Sequence, residues 1–302
     1  MIPYMFNSNT MKSVQYVIAV FAAYSTSVVL LADDSAKIVF DVPYGNESVQ
    51  LLDVYQPLQN ARRTAVVVMH GGGFIKGDKR EERQVIAAKF FVSYGFPTVS
   101  VNYHLSDTKD EAWENLRVPL GDVATAIRTL LAGKIDGVSE VDRVVLVGFS
   151  AGGTLAAFLS LPACFETFGL PESKELKIAA AINFYGTTDR LYLAQKNGFT
   201  SGQHIQKWKD TSAVTWVSEN SNPILTIHGT LDVHSYYRQA QRFDEKVNGA
   251  GGKHILKVLR KAPHGFQVGD SVWEEFDLEK VTVKFLEEHL IDEPPITGGT
   301  DK

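Results

Sequence analysis

The sequence predicts an α/β domain built on a mostly parallel central sheet with helices on both faces. Short runs dense in branched apolar residues alternate along the chain with stretches long enough to form helices. Such runs are typical of strands that are covered on both faces. Parallel strands require helix-length connections, because the chain has to return to the edge where the previous strand began. No repeat or Pro/Gly linker interrupts residues 33–302, so this part is interpreted as a single domain.

The first two predicted strands differ from those that follow. The segments KIVFDVPYG and SVQLLDVYQP flank a turn at Gly45 and Asn46 and predict an antiparallel hairpin at one edge of the sheet. The core strands are predicted in TAVVVMH, PTVSVNY, RVVLVGF, IAAAINFYG, ILTIHG and HILKVLR, and the helices in EERQVIAAKFFVSYG, GDVATAIRTLLAG, YYRQAQRFDEKVNG and VWEEFDLEKVTVKFLEEHL. Residues 190–217, between IAAAINFYG and ILTIHG, predict a short cap. A short cap favours an open site that handles small acyl groups.

Charge and cysteine content exclude several kinds of partner. The formal net charge is -5, with acidic and basic residues interspersed. The chain has no basic stripe of the kind that binds phosphate backbones, so nucleic acid is not an expected partner. Cys164 is the single cysteine, which rules out a disulfide within the chain and a metal site made of several thiolates. Neither a metal-site spacing nor a phosphate-binding glycine motif occurs, and no cofactor is expected.

Residues 1–32 have the composition of a targeting segment. Lys12 is followed by an apolar stretch from Val14 to Ala32 and then by two aspartates. This pattern is typical of a secretory signal peptide, whose removal would leave a secreted or periplasmic protein. The stretch is also just long enough, at about 1.5 Å of helical rise per residue, to span a bilayer as an uncleaved anchor. Association with a membrane is therefore expected only if this segment is retained.

A lone hydroxyl stands where a buried strand turns into a helix, in RVVLVGFSAGGTLAAFLS. Ser150 lies between Gly148 and Gly152, which remove the side chains that would collide in a sharp strand-to-helix turn. Such a turn lifts the hydroxyl clear of the sheet. The first amides of the helix then point toward the position where an oxyanion forms when serine attacks a carbonyl. Ser150 is therefore the candidate nucleophile.

A serine nucleophile needs a base, and the base needs a carboxylate to balance its charge. His264 in APHGF and Asp232 in HGTLD follow separate core strands and are the candidates for these roles. Asp189 in YGTTDR, after the preceding strand, is the alternative acid. His234, two residues beyond Asp232, is the alternative base.

The glycine run in HGGGF supplies backbone amides without side chains in the way. The amides of Gly72 and Gly73 can join that of Ala151 in stabilising an oxyanion. The run directly follows the predicted strand TAVVVM, so it lies at the carboxyl edge of the sheet, where ligands of such folds bind.

Six segments together resemble a known family: LLDVYQP, AVVVMHGGGFIKGDK, VSVNYHLS, VVLVGFSAGG, PILTIHGTLD and APHGF. They are similar to the esterase and lipase branch of the α/β-hydrolase fold, nearest to microbial carboxylesterases that act on small or carbohydrate-linked esters. The resemblance covers roughly residues 38–290. It implies a nucleophile, an acid, a base and three oxyanion donors at Ser150, Asp232, His264, Gly72, Gly73 and Ala151.

Two positions depart from the family pattern. Phe74 stands where these relatives often have tryptophan, and together with Phe149 it is assigned to substrate binding. His104 stands where arginine is common, which puts a salt bridge usual in the family in doubt. His228, at the end of an apolar strand, is interpreted as a hydrogen-bonded core residue.

The sequence thus predicts a serine carboxylic-ester hydrolase that works on a small-molecule ester through an acyl-enzyme. The same groups can cleave amides, as in a formamidase or an α/β-hydrolase peptidase, and this is the alternative from another reaction class. A third interpretation is a catalytically inactive binding module that keeps the fold. The sequence leaves the oligomeric state open.

Overall fold

The structure is a computed structural model, which describes residues 36–199, 204–266 and 277–290. Eight strands form one sheet. Their bounds are β1 Ala36–Pro43, β2 Leu51–Pro57, β3 Thr64–Met69, β4 Thr98–Val101, β5 Arg143–Phe149, β6 Ile178–Phe184, β7 Ile224–Gly229 and β8 His254–Leu259.

Helices connect the strands and cover the sheet. Their bounds are α1 Glu82–Ser93, α2 Lys109–Glu114, α3 Arg117–Leu131, α4 Ala151–Leu159, α5 Phe165–Phe168, α6 Ser173–Leu176, α7 Arg190–Lys196, α8 Ile205–Asp210, α9 Tyr237–Gly249 and α10 Leu278–His289. Two 3-10 turns are added at Pro162–Cys164 and Ala213–Trp216. The start of the last predicted helix, residues 272–276, lies outside the described residues.

The strand order is β1-β2-β4-β3-β5-β6-β7-β8. β1 pairs antiparallel with β2 and β2 antiparallel with β4, whereas every pair from β4 onward is parallel. The predicted sheet, mostly parallel with an antiparallel edge near the amino terminus, is confirmed. Because β3 to β8 all run the same way, the loops that follow them meet at one edge.

The central strands from β3 to β7 are buried on both faces, as their apolar runs predicted. Alternate residues of β3 belong to opposite faces: Val67 lies in the apolar cluster that includes residues of α3 and α4, and Val66 lies in the cluster that includes residues of α1 and α10. Both side chains are fully buried. A strand covered on both faces has no polar side to alternate with, which is why its sequence is a continuous apolar run.

An ion-pair cluster ties the loop after β3 to the antiparallel edge. The Asp53 side chain, on β2, is fully buried and lies 2.6 Å from Arg80 Nε. Lys79 Nζ, also buried, lies 2.7 Å from Asp41 Oδ1 and 3.4 Å from Asp53 Oδ1. Removal of one member would leave a buried charge without a partner, which is costly. The far end of the loop that carries HGGGF is therefore anchored at this edge.

The cap between β6 and β7 is short, as predicted. Within its described part it consists of α7, α8 and the turn Ala213–Trp216. Trp216 Nε1 donates to the carbonyl oxygen of Asp210 at 2.8 Å, and its ring packs edge-on against Phe168. Trp216 thus attaches the cap to the core.

The predicted targeting segment, residues 1–32, lies outside the described residues. Among the helices of the described ranges, none has both the length and the apolar content needed to cross a bilayer.

Candidate active site

Ser150 stands alone between β5 and α4, in a backbone conformation that few residues adopt. Its φ is 53° and its ψ is -113°. The turn is tight because a Cβ on Gly148 would lie 2.0 Å from the carbonyl oxygen of Gly152, and one on Gly152 would lie 2.3 Å from that of Met69. The Ser150 amide donates to Phe184 O on β6 at 2.9 Å. Close packing against β3 and β6 therefore holds the hydroxyl at the edge of the sheet.

His264 lies in the loop after β8 and contacts both other candidate residues. Its Nε2 is 2.9 Å from Ser150 Oγ, and its Nδ1 is 2.7 Å from Asp232 Oδ2. The ring also packs edge-on against Tyr185, with ring centroids 4.7 Å apart. The structure thus brings together three residues that the sequence singled out on three separate loops.

The Asp232 carboxylate is fully buried and surrounded by donors. Its Oδ1 accepts from the backbone amides of His234 and Ser235, each at 2.8 Å. Its Oδ2 lies 3.1 Å from Nε2 of His228, in addition to the contact with His264. Burial raises the pKa of Asp232, but the contacts with His228, His264 and the Ser235 amide outweigh that effect and hold the pKa well below its usual range. The carboxyl group is therefore ionised at neutral pH.

His228 is the neighbour of Asp232 that sequence reasoning missed. It was interpreted as a core residue, and its side chain is indeed fully buried on β7. Its position four residues before Asp232, across the turn that ends β7, is the signal that points to a contact with the acid. A second imidazole beside the carboxylate adds to the electrostatic support of the anion.

The alternative acid and base have other surroundings. Asp189 Oδ2 accepts from Arg242 Nε at 2.7 Å, and Asp189 Oδ1 caps α7 by accepting from the Tyr192 amide at 2.9 Å. His234 is exposed, and its ring centroid lies 5.3 Å from that of His264. The geometry therefore favours Asp232 over Asp189 and His264 over His234.

The glycine loop after β3 turns sharply beside Ser150. Gly72, Gly73 and Phe74 have φ values of 101°, 66° and 64°, so three left-handed residues follow one another. A Cβ on Gly72 would lie 1.9 Å from the carbonyl oxygen of Lys76, which restricts the position to glycine. A Cβ on Gly71 would lie 3.3 Å from Ser150 Cβ. The loop backbone thus passes directly against the nucleophile.

The buried His70 ring packs under the glycine loop after β3 and contacts its backbone. Its ring stacks on Tyr103 with centroids 4.1 Å apart, and its Nδ1 lies 2.8 Å from the carbonyl oxygen of Gly71. With a proton on Nδ1, the ring donates to that carbonyl. Burial lowers the pKa of His70 to about 4. The ring is therefore neutral at pH 7 and supports the loop through stacking and one hydrogen bond.

Phe74 and Phe149, which the sequence assigned to substrate binding, are buried side chains in the structure. Phe149 is fully buried and stacks on Phe184 with centroids 4.7 Å apart. Phe74 is 2% exposed and packs edge-on against Trp113 on α2 at 5.4 Å. Both rings belong to the core, because β5 is covered on both faces and the ring of Phe74 packs inward on α2.

His104 keeps the carboxylate of Asp122 as a partner although arginine is absent. Its backbone amide and its ring Nδ1 each lie 2.8 Å from Asp122 Oδ2. Asp122 Oδ1 accepts from Gln50 Nε2 at 2.8 Å. The contact that the sequence put in doubt is thus made by an imidazole, which joins the loop after β4 to α3.

Comparison with known proteins gives the family. A model of the BD-FAE family matches residues 52–247, which is more than half of the chain. The chain belongs to the BD-FAE family. The predicted relationship to α/β-hydrolase esterases is confirmed. The matched range contains the HGGGF loop, Ser150 and Asp232, and ends before His264.

Individual relatives of this BD-FAE chain are distant. It is 25% identical over 250 residues to esterase LipC of Mycobacterium tuberculosis, a match that covers 76% of this chain and 60% of LipC. It is 27% identical over 252 residues to kynurenine formamidase of Danio rerio, covering 82% of each chain. A solved structure, the truncated form of a carbohydrate esterase from gut microbiota, has a TM-score of 0.66 at 19% identity and covers 86% of this chain and 98% of its own. The structural likeness confirms the α/β-hydrolase fold.

The buried imidazole of His70 predicts a loss of stability in acid. Its folded pKa of about 4 lies below its ordinary 6.5, so its contribution to stability is present above pH 6.5 and is lost as pH falls toward 4. The difference corresponds to roughly 3 kcal/mol of unfolding free energy. His70→Asn keeps an N–H donor near Nδ1 but cannot titrate, so we expect its unfolding free energy to fall less between pH 7 and pH 4 than that of the wild type.

Urea unfolding at each pH measures the effect. His204→Asn, at an exposed histidine before α8, is the control and should follow the wild-type curve. Parallel curves for the wild type and His70→Asn would contradict the explanation.

Proposed function

We propose that the chain is a serine carboxylic-ester hydrolase, with Ser150 as nucleophile, His264 as general base and Asp232 as the acid that orients the base. One observation carries the proposal: the contacts from Ser150 Oγ to His264 Nε2, 2.9 Å, and from His264 Nδ1 to Asp232 Oδ2, 2.7 Å, form one continuous chain. A hydroxyl beside an imidazole that is itself oriented by a carboxylate has the arrangement required for acyl transfer.

The first half of the reaction forms an acyl-enzyme. With its proton on Nδ1 and donated to Asp232, His264 presents the Nε2 lone pair to the hydroxyl. Ser150 Oγ attacks the ester carbonyl carbon while its proton moves to Nε2. The imidazolium then gives this proton to the alcohol oxygen, the bond between the carbonyl carbon and that oxygen breaks, and the alcohol leaves. The ionised Asp232 stabilises the transient imidazolium.

The second half repeats these steps with water. A water molecule loses a proton to His264 Nε2 and attacks the acyl carbon. The bond to Ser150 Oγ then breaks, the serine regains the proton, and the carboxylic acid is released.

The oxyanion of each tetrahedral intermediate is assigned to the backbone amides of Gly72, Gly73 and Ala151. Ala151 is the first residue of α4, so its amide has no acceptor within the helix. The left-handed turn at Gly72 and Gly73, with the loop against Ser150, supports the same assignment. Donors held rigidly in place need no rearrangement when the charge develops.

The proposed substrates are small or carbohydrate-linked esters. The short cap favours a site that admits small acyl groups without movement of a large lid. The similarity to a carbohydrate esterase from gut microbiota supports a sugar as the alcohol component. The chain spans 60% of the length of LipC, so the similarity to that esterase supports the reaction class and does not extend to its substrate.

Ser150→Ala should lower the turnover of p-nitrophenyl acetate by roughly 10⁴-fold or more, because no other group can form the acyl-enzyme. Steady-state kinetics measures the loss, and the urea unfolding midpoint checks that the variant is folded. Ser93→Ala, at an exposed serine whose hydroxyl donates to Phe90 O, is the matched control and should keep wild-type activity. Turnover retained in Ser150→Ala would refute the proposal.

Amide cleavage is the second candidate, and the similarity to kynurenine formamidase over 82% of each chain favours considering it. The two reactions share the nucleophile and differ in the protonation of the leaving group. We expect the ratio of kcat/KM for p-nitrophenyl acetate to kcat/KM for p-nitroacetanilide to exceed the ratio of their spontaneous hydrolysis rates. A ratio of kcat/KM values below the ratio of the spontaneous rates would make amide cleavage the better assignment.

A further inference from the structure

Arg83, in the first turn of α1, contacts the loop that carries His264. Its Nη2 donates to the carbonyl oxygen of Gly265 at 2.7 Å, although the two residues are 182 positions apart in sequence. Gly265 directly follows His264 and has a φ of 103°. A guanidinium-to-carbonyl hydrogen bond of this length is charge-assisted and stronger than one between neutral groups.

The same guanidinium borders the strand end that carries the nucleophile. Its central carbon lies 5.8 Å from the ring centroid of Phe149, the residue before Ser150, and 5.8 Å from that of Tyr185. Tyr185 in turn packs against the His264 ring. One side chain from α1 therefore lies beside immediate neighbours of both the proposed nucleophile and the proposed base.

The loop around His264 has little other main-chain support. Within residues 36–199, 204–266 and 277–290, positions 263–266 make no backbone-to-backbone hydrogen bond. Pro263 has no amide proton to donate. The side-chain contacts of His264 with Ser150 and Asp232 fix the ring, but they do not fix the backbone that follows it. The Phe266 ring, 2% exposed, packs against Tyr185 with ring centroids 4.7 Å apart, and the bond from Arg83 to the Gly265 carbonyl holds the backbone between His264 and that ring.

We propose that Arg83 is a positioning residue, which holds the loop at Gly265 so that the His264 ring stays between Ser150 and Asp232. This inference rests on the proposed function of that site. Loss of the guanidinium frees the loop backbone, and the imidazole then spends less time at a productive distance from the hydroxyl. A misplacement of about 1 Å at a catalytic group can cost on the order of 10²-fold in rate.

The test compares Arg83→Ala and Arg83→Lys with the wild type on p-nitrophenyl acetate. We expect Arg83→Ala to lower kcat by about 10-fold to 100-fold with KM changed by less than about two-fold, because the proposed role of Arg83 is to hold the loop and not to bind the ester. Lysine supplies a cationic donor without the planar guanidinium group, so the kcat of Arg83→Lys should lie between those of the wild type and Arg83→Ala. Millimolar methylguanidinium should restore part of kcat in Arg83→Ala.

Arg238→Ala is the matched control. Arg238 lies on α9, half exposed, and pairs with Glu245 on the same helix at 3.2 Å. Its replacement should leave kcat at the wild-type value, with no response to methylguanidinium. Unfolding midpoints of all variants separate a loss of fold from a loss of positioning.

A second measurement keeps this inference separable from the proposed function. The ¹H NMR signal of the His264 Nδ1 proton reports the hydrogen bond to Asp232 whether or not the enzyme turns over. We expect the signal to weaken or disappear in Arg83→Ala and to return with methylguanidinium. An unchanged NMR signal together with wild-type kcat in Arg83→Ala would overturn the inference. A loss of kcat that accompanies unfolding of the variant and does not respond to methylguanidinium would overturn it as well. A wild type that is inactive on esters would refute the proposed function and leave the NMR test of Arg83 intact.

Discussion

The close approach between the end of β5 and the start of α4 is the constraint on which the rest of the site depends. Only glycine fits at positions 148 and 152, because a Cβ there would lie 2.0 Å and 2.3 Å from carbonyl oxygens. The same turn gives Ser150 a positive φ, a strain of the order of 1–3 kcal/mol that persists only when the surroundings hold it. The buried strand and helix on either side supply that support, so core packing fixes the position of the hydroxyl.

The electrostatics of the site follow from what is buried beside this turn. Asp232 is shielded from water and kept ionised by two backbone amides and two imidazoles, whereas the His264 side chain is 20% exposed. A buried carboxylate orients its partner more firmly than an exposed one, because its hydrogen bonds lie in a medium of low dielectric constant. The glycine loop after β3 borders the serine from the other side and is tied to the sheet edge by the buried pair of Lys79 and Asp53.

The features that could be predicted from the sequence are those whose pattern lies within a single short segment of the chain. Eight strands, the turn around Ser150 and the loops that carry Asp232 and His264 were predicted from local patterns. Contacts between distant segments could not be predicted, and the bond from Arg83 to Gly265, 182 positions apart, is of this kind. The contact of His228 with Asp232 spans only four positions, and it was missed because His228 was interpreted as a core residue. The burial of Phe149 was missed for another reason. β5 is apolar on both faces, so periodicity does not tell which residues point toward the site.

Covalent labelling reports whether the Ser150 hydroxyl is activated, whatever the natural ester is. The protein is incubated with a fluorophosphonate, and the adduct is located by mass spectrometry of its peptides. We expect one adduct per chain, on Ser150, and little or none in a His264→Ala variant, in which the hydroxyl has no base 2.9 Å away. A wild-type protein that is folded but unlabelled, or that is labelled at a different serine, would rule out Ser150 as the nucleophile.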